Sequence, residues 1–278
     1  MKKLAFILFI LVSTNAQAQL FGKIFSGYDE IGFNFGTSYY IGDLNPYQHF
    51  ENNKALFGIT YKWSPTPRHT LRMYALRTQL EAYDSDNKDI NLVNRNLHFK
   101  TTLMEYGAAL EINFYEYMIG SKHDNFTPFL YGGLAYMSFN PMAEFEGVWY
   151  ELNPLHTEGQ GSVLMEEPYK LNQIVMPIGV GIKCNLFGRL ALNVEYGVRK
   201  TFTDYLDDVS TEYANENLLR EDNGILAVSL ADRSLVQILP DGTNEGTARG
   251  NPNNNDWYFL TQVSLAVRLG PPNLGCFK

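Results

Sequence analysis

The 278-residue chain is poor in the residues that build most catalytic and metal centres. It has two cysteines and five histidines (His49, His69, His98, His123 and His156), and the histidines do not follow a zinc-ligand spacing. No stretch after the N-terminal segment reaches 18 apolar residues, which excludes a helical membrane protein. Lysine and arginine (22) are outnumbered by aspartate and glutamate (30), and no basic patch stands out, which argues against nucleic acid as a partner.

The N-terminus has the pattern of an export signal. Two lysines precede an apolar run from Leu4 to Val12, and Ala16-Gln17-Ala18 provides the small residues that a signal peptidase reads. We therefore expect residues 1–18 to be a signal peptide cleaved before Gln19, which changes the formal net charge from -8 to -10. The residue directly after the cleavage site is Gln19 rather than cysteine, which argues against a lipid anchor.

The chain is rich in aromatic residues and glycine, and its hydrophobicity alternates. It contains 18 Tyr, 18 Phe and 23 Gly, which suit strands, aromatic girdles and tight turns. The stretch Asp256 to Leu269, DWYFLTQVSLAVRL, places apolar residues on one parity and mostly polar residues on the other. Because successive strand side chains point to opposite faces, this pattern predicts a strand with lipid outside and a polar interior. A secreted β-sandwich is the alternative.

Eight such strands are predicted, and the connections after the first, third, fifth and seventh are the longer ones. This alternation predicts an all-β fold, an eight-stranded antiparallel transmembrane outer-membrane β-barrel with long outer loops and periplasmic termini. The barrel covers residues 29–269, between a periplasmic lead-in, 19–28, and a periplasmic tail, 270–278. The predicted strands are Glu30–Gly42, Ala55–Trp63, Thr70–Asp84, Phe99–Tyr115, Thr127–Asn140, Gln173–Cys184, Arg189–Arg199 and Asp256–Leu269.

Two of these strands allow more specific predictions. In the first strand, Tyr39 has the parity of the outward-facing residues. In the third, Arg72 and Arg77 have opposite parity, which indicates either a bulge or a strand end outside the bilayer.

Charged residues on the inward parity predict a paired network inside the barrel. An eight-stranded barrel holds just enough space for side chains, so it forms a plug rather than a pore. A buried carboxylate without a cation is costly, which explains the mixture of signs. A proton or ion path is the alternative role. The predicted network is Lys62, Glu105, Glu111, Lys183, Glu195, Arg199 and Arg268.

The sequence offers little chemistry. The acids of TDYLDDVS, Asp204, Asp207 and Asp208, are possible calcium ligands but lack the spacing and glycine of an EF-hand loop. His156, Glu158 and Ser162 superficially resemble a hydrolase triad, without a Gly-x-Ser-x-Gly context. We expect no catalytic residue, no cofactor, no metal and no small-molecule substrate.

The segment Lys200 to Tyr213 mixes aromatic residues with acids and is too apolar for a freely disordered loop. We expect it to dock, either on a partner or on the rim of the barrel itself. The candidate partner-binding residues are Phe202, Asp204, Tyr205, Leu206, Asp207 and Asp208.

The two cysteines fall in one predicted compartment. Cys184 ends the sixth strand at the periplasmic rim, and Cys276 lies in the tail PPNLGCFK. Strands six and eight are roughly 10 Å apart, and the tail reaches about 23 Å when extended, so a disulfide is feasible. We predict an intramolecular bridge, with a mixed disulfide to a partner or free thiols as alternatives.

Several loop motifs carry a family resemblance: SYYIGDLN (38–45), YGGLAYMSFNP (131–141), LHTEGQG (155–161), KTFTDYLDDVSTEY (200–213), RGN (249–251) and DWYF (256–259). Together they resemble the PorG family of outer-membrane barrels in the type IX secretion and gliding machinery. The resemblance implies a non-enzymatic component that links the outer membrane, and its lipids, to a periplasmic ring of a lipoprotein and its partner protein. An outer-membrane receptor or adhesin, and an outer-membrane hydrolase, are the alternatives.

Overall fold

The computed structural model describes residues 27–161 and 167–270. The predicted signal peptide, most of the predicted lead-in and tail, Ser162 and Cys276 lie outside these residues. The described part contains ten strands and two α-helices, α1 (Ile90–Arg95) and α2 (Glu216–Ala231). The strands are β1 (Tyr28–Ile41), β2 (Lys54–Thr66), β3 (His69–Tyr83), β4 (His98–Asn113), β5 (Phe126–Ser138), β6 (Pro141–Phe145), β7 (Val148–Glu151), β8 (Asn172–Asn185), β9 (Leu190–Lys200) and β10 (Trp257–Arg268).

Eight of the strands close into an antiparallel barrel. The order around the barrel is β1, β2, β3, β4, β5, β8, β9 and β10, and β10 pairs with β1 from Glu30↔Arg268 to Ile41↔Trp257. Since every barrel strand has a neighbour on both sides, the barrel has no open sheet edge. This arrangement confirms the predicted eight-stranded outer-membrane type of β-barrel.

The two faces of the barrel wall follow the alternation in the sequence. In β10, Val263 and Leu265 are 42% and 39% exposed, whereas Ser264 and Ala266 face the interior and are buried. Exposed apolar side chains occur on all eight barrel strands: Phe33, Phe57, Met73, Leu110, Leu134, Ile178, Val194 and Leu265. An apolar exterior around a polar interior is typical of a barrel surrounded by lipid. None of the helices in the described residues is long and apolar enough to cross a membrane.

The third strand contains no bulge against its neighbour β4. The register between β3 and β4 is continuous from His69↔Ile112 to Tyr83↔His98. The irregularity lies in β2, between Trp63 and Thr66, next to the short β2–β3 turn. Arg77 therefore points outward on the far half of β3, where polar side chains replace the apolar ones, as expected for a strand end beyond the bilayer.

The connections divide the barrel into two different ends. Segments 42–53, 84–97, 139–171 and 201–256 leave at one end, which we call the long-loop end. The turns 67–68, 114–125 and 186–189 lie at the other, the short-turn end. The β6–β7 hairpin and both α-helices belong to the long-loop end.

Tyr39 faces outward, beside Phe259, as its parity predicted, yet it is only 1% exposed. The 42–53 loop folds over the outer surface of the barrel and covers it. The hydroxyl of Tyr39 lies 2.9 Å from Nδ1 of His49, and its ring stacks on Phe259 with 4.9 Å between the centroids. The outward direction is as predicted, but strand parity does not reveal that a loop returns to cover this part of the wall.

Helix α2 was not predicted. It begins after Asn215, whose side chain accepts a hydrogen bond from the amide of Leu218 at 3.0 Å. Its buried face packs Leu219, Ala227 and Val228 against the half-buried Leu155. Gly224, with φ of 82°, interrupts the helical backbone. The kink breaks the 3.6-residue pattern, which hid the helix in the sequence.

Candidate functional site

Glu111 is the centre of one half of the charged interior. Its Oε1 lies 2.9 Å from Nζ of Lys62 and 3.1 Å from Nη1 of Arg72, and its Oε2 lies 2.5 Å from Nζ of Lys183. All four side chains are at most 2% exposed. Three cations thus share one buried carboxylate.

Two further pairs cross the lumen. Arg72 on β3 forms two hydrogen bonds of 3.0 Å with Glu195 on β9, four positions around the eight-stranded ring and hence on the opposite wall. Arg199 on β9 donates to Glu105 on β4 at 3.1 Å. Bonds between distant strands fill the lumen with fixed side chains, which is the arrangement of a plug.

The structure places all seven predicted network residues inside the barrel, and six of them in ion pairs. The exception is Arg268, whose Nη1 donates to the carbonyl of Ile119 at 2.9 Å and whose guanidinium lies over the ring of Tyr28. Glu30 and Arg72 belong to the network but were not predicted. Glu30 lies 3.9 Å from Lys62 and shares the inward parity of Gly32 and Asn34, a signal that was available in the sequence.

The predicted partner-binding loop lies in the mouth of the barrel at the long-loop end. Leu206 and Asp208 are 0% exposed and Asp207 is 1% exposed, and Asp204 is buried as well. The half-buried Tyr205 stacks on Tyr169 with 4.7 Å between ring centroids. Only Phe202, 51% exposed, presents most of its side chain to solvent. The loop therefore forms a cap on the barrel, and its binding to a partner remains a prediction. We call residues 201–213 the cap loop.

Glu158 holds the cap loop in place. Its carboxylate accepts hydrogen bonds from the amides of Ser210 and Thr211 at 2.9 and 3.0 Å, and from Nη1 of Arg249 at 2.8 Å. These partners occupy both carboxylate oxygens and do not include His156. The hydrolase hypothesis required Glu158 to orient His156, so the geometry of the described residues gives it no support.

A second arginine fastens the neighbouring loops to the mouth. Arg95 binds Asp84 through two hydrogen bonds of 2.7 Å and also donates to the carbonyls of Arg249 and Asp43, at 2.6 and 2.9 Å. Burial raises the pKa of Asp84, and Arg95 opposes this rise. Four connections of the long-loop end thus meet at two buried arginines.

Two of the three acids considered as calcium ligands, Asp207 and Asp208, form hydrogen bonds within the cap. Asp208 accepts hydrogen bonds from Thr157 and, at 2.6 Å, from the hydroxyl of Tyr169. Asp207 accepts from the amide of Val209 at 3.0 Å and contacts the hydroxyl of Tyr40. Among the described residues, no group of three or more His, Cys, Asp or Glu side chains is arranged to hold a metal ion.

Five of the six motifs noted in the sequence meet in this mouth. Tyr40 comes from SYYIGDLN, Glu158 from LHTEGQG, Asp207 from KTFTDYLDDVSTEY, Arg249 from RGN and Asp256 from DWYF. Each makes a side-chain hydrogen bond in the cap or to one of its anchors. Segments as far apart as 216 positions therefore build one structure.

A cavity of about 250 Å³ lies beside the N-terminal half of α2, at the same end of the barrel. Its walls combine apolar groups with carboxylates. The principal lining side chains are Tyr213, Leu218, Leu219, Glu212, Asp222 and Glu245.

Cys184 lies near the short-turn end, as expected, and is half-buried. Its Sγ lies 3.6 Å from the carbonyl oxygen of Leu192. Since Cys276 is outside the described residues, the disulfide between the two remains a prediction.

Comparison with known proteins adds a family and a set of similar folds. Ail, the attachment invasion locus protein of Yersinia pestis, has 9% identity and a TM-score of 0.42, with 87% of this chain and 99% of Ail covered. OprG from Pseudomonas aeruginosa has 11% identity and a TM-score of 0.41, with 88% and 97% covered. Neisserial surface protein A has 9% identity and a TM-score of 0.40, with 87% and 97% covered. Similarity at this level carries no information on function.

No curated protein matches the sequence. The family described as "Domain of unknown function (DUF6089)" matches residues 1–224, more than three quarters of the chain. The protein therefore belongs to the DUF6089 family.

Proposed function

We propose that the protein is a non-enzymatic outer-membrane component of the type IX secretion system, which joins the membrane to a periplasmic ring complex. The apolar belt on all eight strands suits insertion in the outer membrane. The lumen is crossed by ion pairs such as Arg72–Glu195, and the long-loop mouth is capped. A barrel closed in this way suits an anchor better than a channel.

The observation that carries the proposal is the convergence of the motifs that resemble the PorG family. Tyr40, Glu158, Asp207, Arg249 and Asp256 belong to five separate motifs and are joined in one buried cluster. A cluster that joins these motifs in space is a stronger basis for the resemblance than short similar segments scattered along the sequence. It supports a common architecture for the capped end, from which the secretion role follows by analogy.

The short-turn end is the side that we expect to contact the ring. It presents Phe187 at 72% exposure at the tip of the β8–β9 turn and Tyr115 at 59% in the β4–β5 turn. Exposed aromatic side chains of this kind are favoured anchors in protein interfaces. In the proposed orientation this end faces the periplasm, where the ring lies.

Single-cysteine labelling tests the orientation. In a variant lacking both native cysteines, Tyr47→Cys on the 42–53 loop should react with a membrane-impermeant maleimide added to intact cells, because Tyr47 is 86% exposed. Phe187→Cys should react only after the outer membrane is permeabilised. The reverse pattern would contradict the orientation.

Crosslinking in cells tests the partner. A photo-reactive amino acid at Phe187 should yield adducts with the ring lipoprotein or its partner, identified by mass spectrometry, whereas the same group at Tyr47 should not. Deletion of the gene should also block export of type IX cargo. Normal export after deletion would refute the secretion role, even if an adduct formed.

The cavity beside α2 favours one alternative function, a surface receptor or adhesin. It combines apolar walls from Leu218 and Leu219 with the carboxylates of Glu212, Asp222 and Glu245, and it lies among the long loops. A receptor would lose binding of cells or of a surface ligand on deletion while cargo export stayed normal. The same deletion strain therefore distinguishes the two functions.

A further inference from the structure

The cap loop meets the barrel mouth at a buried contact between one tyrosine and two aspartates, of which only Asp207 belongs to the loop itself. The hydroxyl oxygen of Tyr40 lies 2.5 Å from Oδ2 of Asp207 and 2.7 Å from Oδ1 of Asp256. All three side chains are at most 1% exposed. The other oxygen of each carboxyl accepts a hydrogen bond from a cap-loop amide, that of Val209 for Asp207 and that of Leu206 for Asp256.

The number of hydrogens in this contact determines the protonation state of the two aspartates. A tyrosine hydroxyl has one proton and can donate it to only one carboxylate. Two carboxylates at hydrogen-bond distance from the same hydroxyl oxygen would leave one pair of oxygens facing each other without a hydrogen between them. The geometry is satisfied when one of the two aspartates is protonated and donates to the tyrosine oxygen.

The charges around the contact also require bound protons. Six carboxyl groups are buried in the mouth (Asp84, Glu158, Asp204, Asp207, Asp208 and Asp256), together with two arginines. Arg95 is committed to Asp84, and Arg249 to Glu158, with Asp208 at 3.8 Å. Among the described residues, no cation forms an ion pair with Asp204, Asp207 or Asp256. Burying unpaired carboxylates is far more costly than burying the neutral acids.

We propose that the cap loop is a pH-sensitive closure, docked on the barrel mouth by protons held at the Tyr40–Asp207–Asp256 contact and at Asp204. An open loop would expose these acids to water, where each ionises at its ordinary pKa of about 4. Docking therefore takes up protons and weakens as the pH rises. The charged and titratable groups that act on the contact from the surrounding elements are Asp43, Arg95 and Asp204. Glu158, Asp208 and Arg249 form the neighbouring buried cluster in the same mouth.

The direction of the pKa shifts agrees with this geometry. Burial raises the pKa of Asp207 and of Asp256 well above the ordinary value, and burial raises the pKa of Asp204 to about 8. For an acid with a raised pKa, the docked state is fully stable only below the pKa of the open state, about 4. Its stability then falls with rising pH until the docked pKa is reached. For Asp204 the sensitive window accordingly extends from about pH 4 to about pH 8, and for the contact it begins at the same lower limit.

Hydrogen–deuterium exchange of the full mature protein in detergent micelles tests the proposal. The amides of Leu206 and Val209 report the contact directly, because each donates to one of the two aspartates. Their protection, corrected for intrinsic exchange with an unstructured peptide of residues 201–213, should fall about tenfold per pH unit for each proton held by the docked loop. With at least one proton, protection drops at least about a hundredfold between pH 5 and pH 7. Protection that does not change over this range would overturn the proposal.

Asparagine variants separate the bound proton from a purely structural role. In Asp207→Asn the amide nitrogen can donate permanently to Tyr40 while the amide oxygen still accepts from Val209, and Asp256→Asn offers the same exchange towards Leu206. In either variant, the fall of amide protection with rising pH should be smaller by about one decade per pH unit. At pH 8 the variant should be better protected than the wild type. Glu221→Gln, on the exposed surface of α2, should leave the slope unchanged. Asparagine variants that lose protection at every pH with the wild-type slope would show that the aspartates are structural acceptors only.

Discussion

Glu111 allows a quantitative test of the plugged interior. Replacing it with glutamine removes the carboxylate shared by Lys62, Arg72 and Lys183, at 2.9, 3.1 and 2.5 Å. Arg72 keeps Glu195 at 3.0 Å, but Lys183 keeps no other carboxylate within 4.0 Å among the described residues. Leaving a buried cation without its partner costs about 3–5 kcal/mol, so Glu111→Gln should destabilise the barrel by that amount.

The matched variants make the test specific. Lys183→Met leaves Glu111 with two cations and should cost less, about 1.5–3 kcal/mol for the lost charged hydrogen bond. The double variant Glu111→Gln/Lys183→Met should be more stable than Glu111→Gln alone, since it removes both members of the pair. Glu116→Gln, in an exposed pair with Arg68 at 4.0 Å, should change the stability by about 1 kcal/mol or less.

Urea unfolding in detergent micelles measures these differences. Folded and unfolded fractions can be followed by the gel mobility of unheated samples, and the free energy of unfolding follows from linear extrapolation. The reasoning fails if Glu111→Gln lies within about 1 kcal/mol of the wild type, or if the double variant is less stable than Glu111→Gln. Either result would mean that water, rather than Glu111, compensates the interior cations.

Three further predictions concern the wall, the cap and the short-turn end. Val263→Arg should destabilise the barrel by about 2–4 kcal/mol if the residue lies near the bilayer midplane, whereas Tyr47→Arg on an exposed loop should be neutral, as measured by the same urea titration. Arg249→Met leaves the buried carboxylate of Glu158 without its cation and should weaken the docking of the cap by about 3–5 kcal/mol. Trypsin should then cleave residues 201–256 faster, while the folded barrel keeps its gel mobility. Thiol labelling of denatured, unreduced protein should find neither Cys184 nor Cys276 reactive if they form a disulfide, and two labelled thiols would refute the bridge.

Strand alternation was sufficient to predict the barrel. Successive side chains in a strand must point to opposite faces, so the pattern of β10 identified both the lipid face, with Val263, and the interior, with Ser264. The even number of strands and the alternating loop lengths then predicted the antiparallel closure. The interior acids Glu105 and Glu111 followed from the same parity, because a residue's face depends only on its own strand.

The tertiary structure alone decided which residues meet. Parity places Glu111 inside the barrel but cannot state that Lys183, 72 positions away, lies 2.5 Å from it, because the distance depends on strand order and stagger around the closed ring. The same limit applies to the cap. Tyr40 and Asp256 are separated by 216 positions, and only barrel closure, which sets β1 beside β10, brings both to Asp207. Loops have no period from which their contacts can be read, so the contact among Tyr40, Asp207 and Asp256 was visible only in three dimensions.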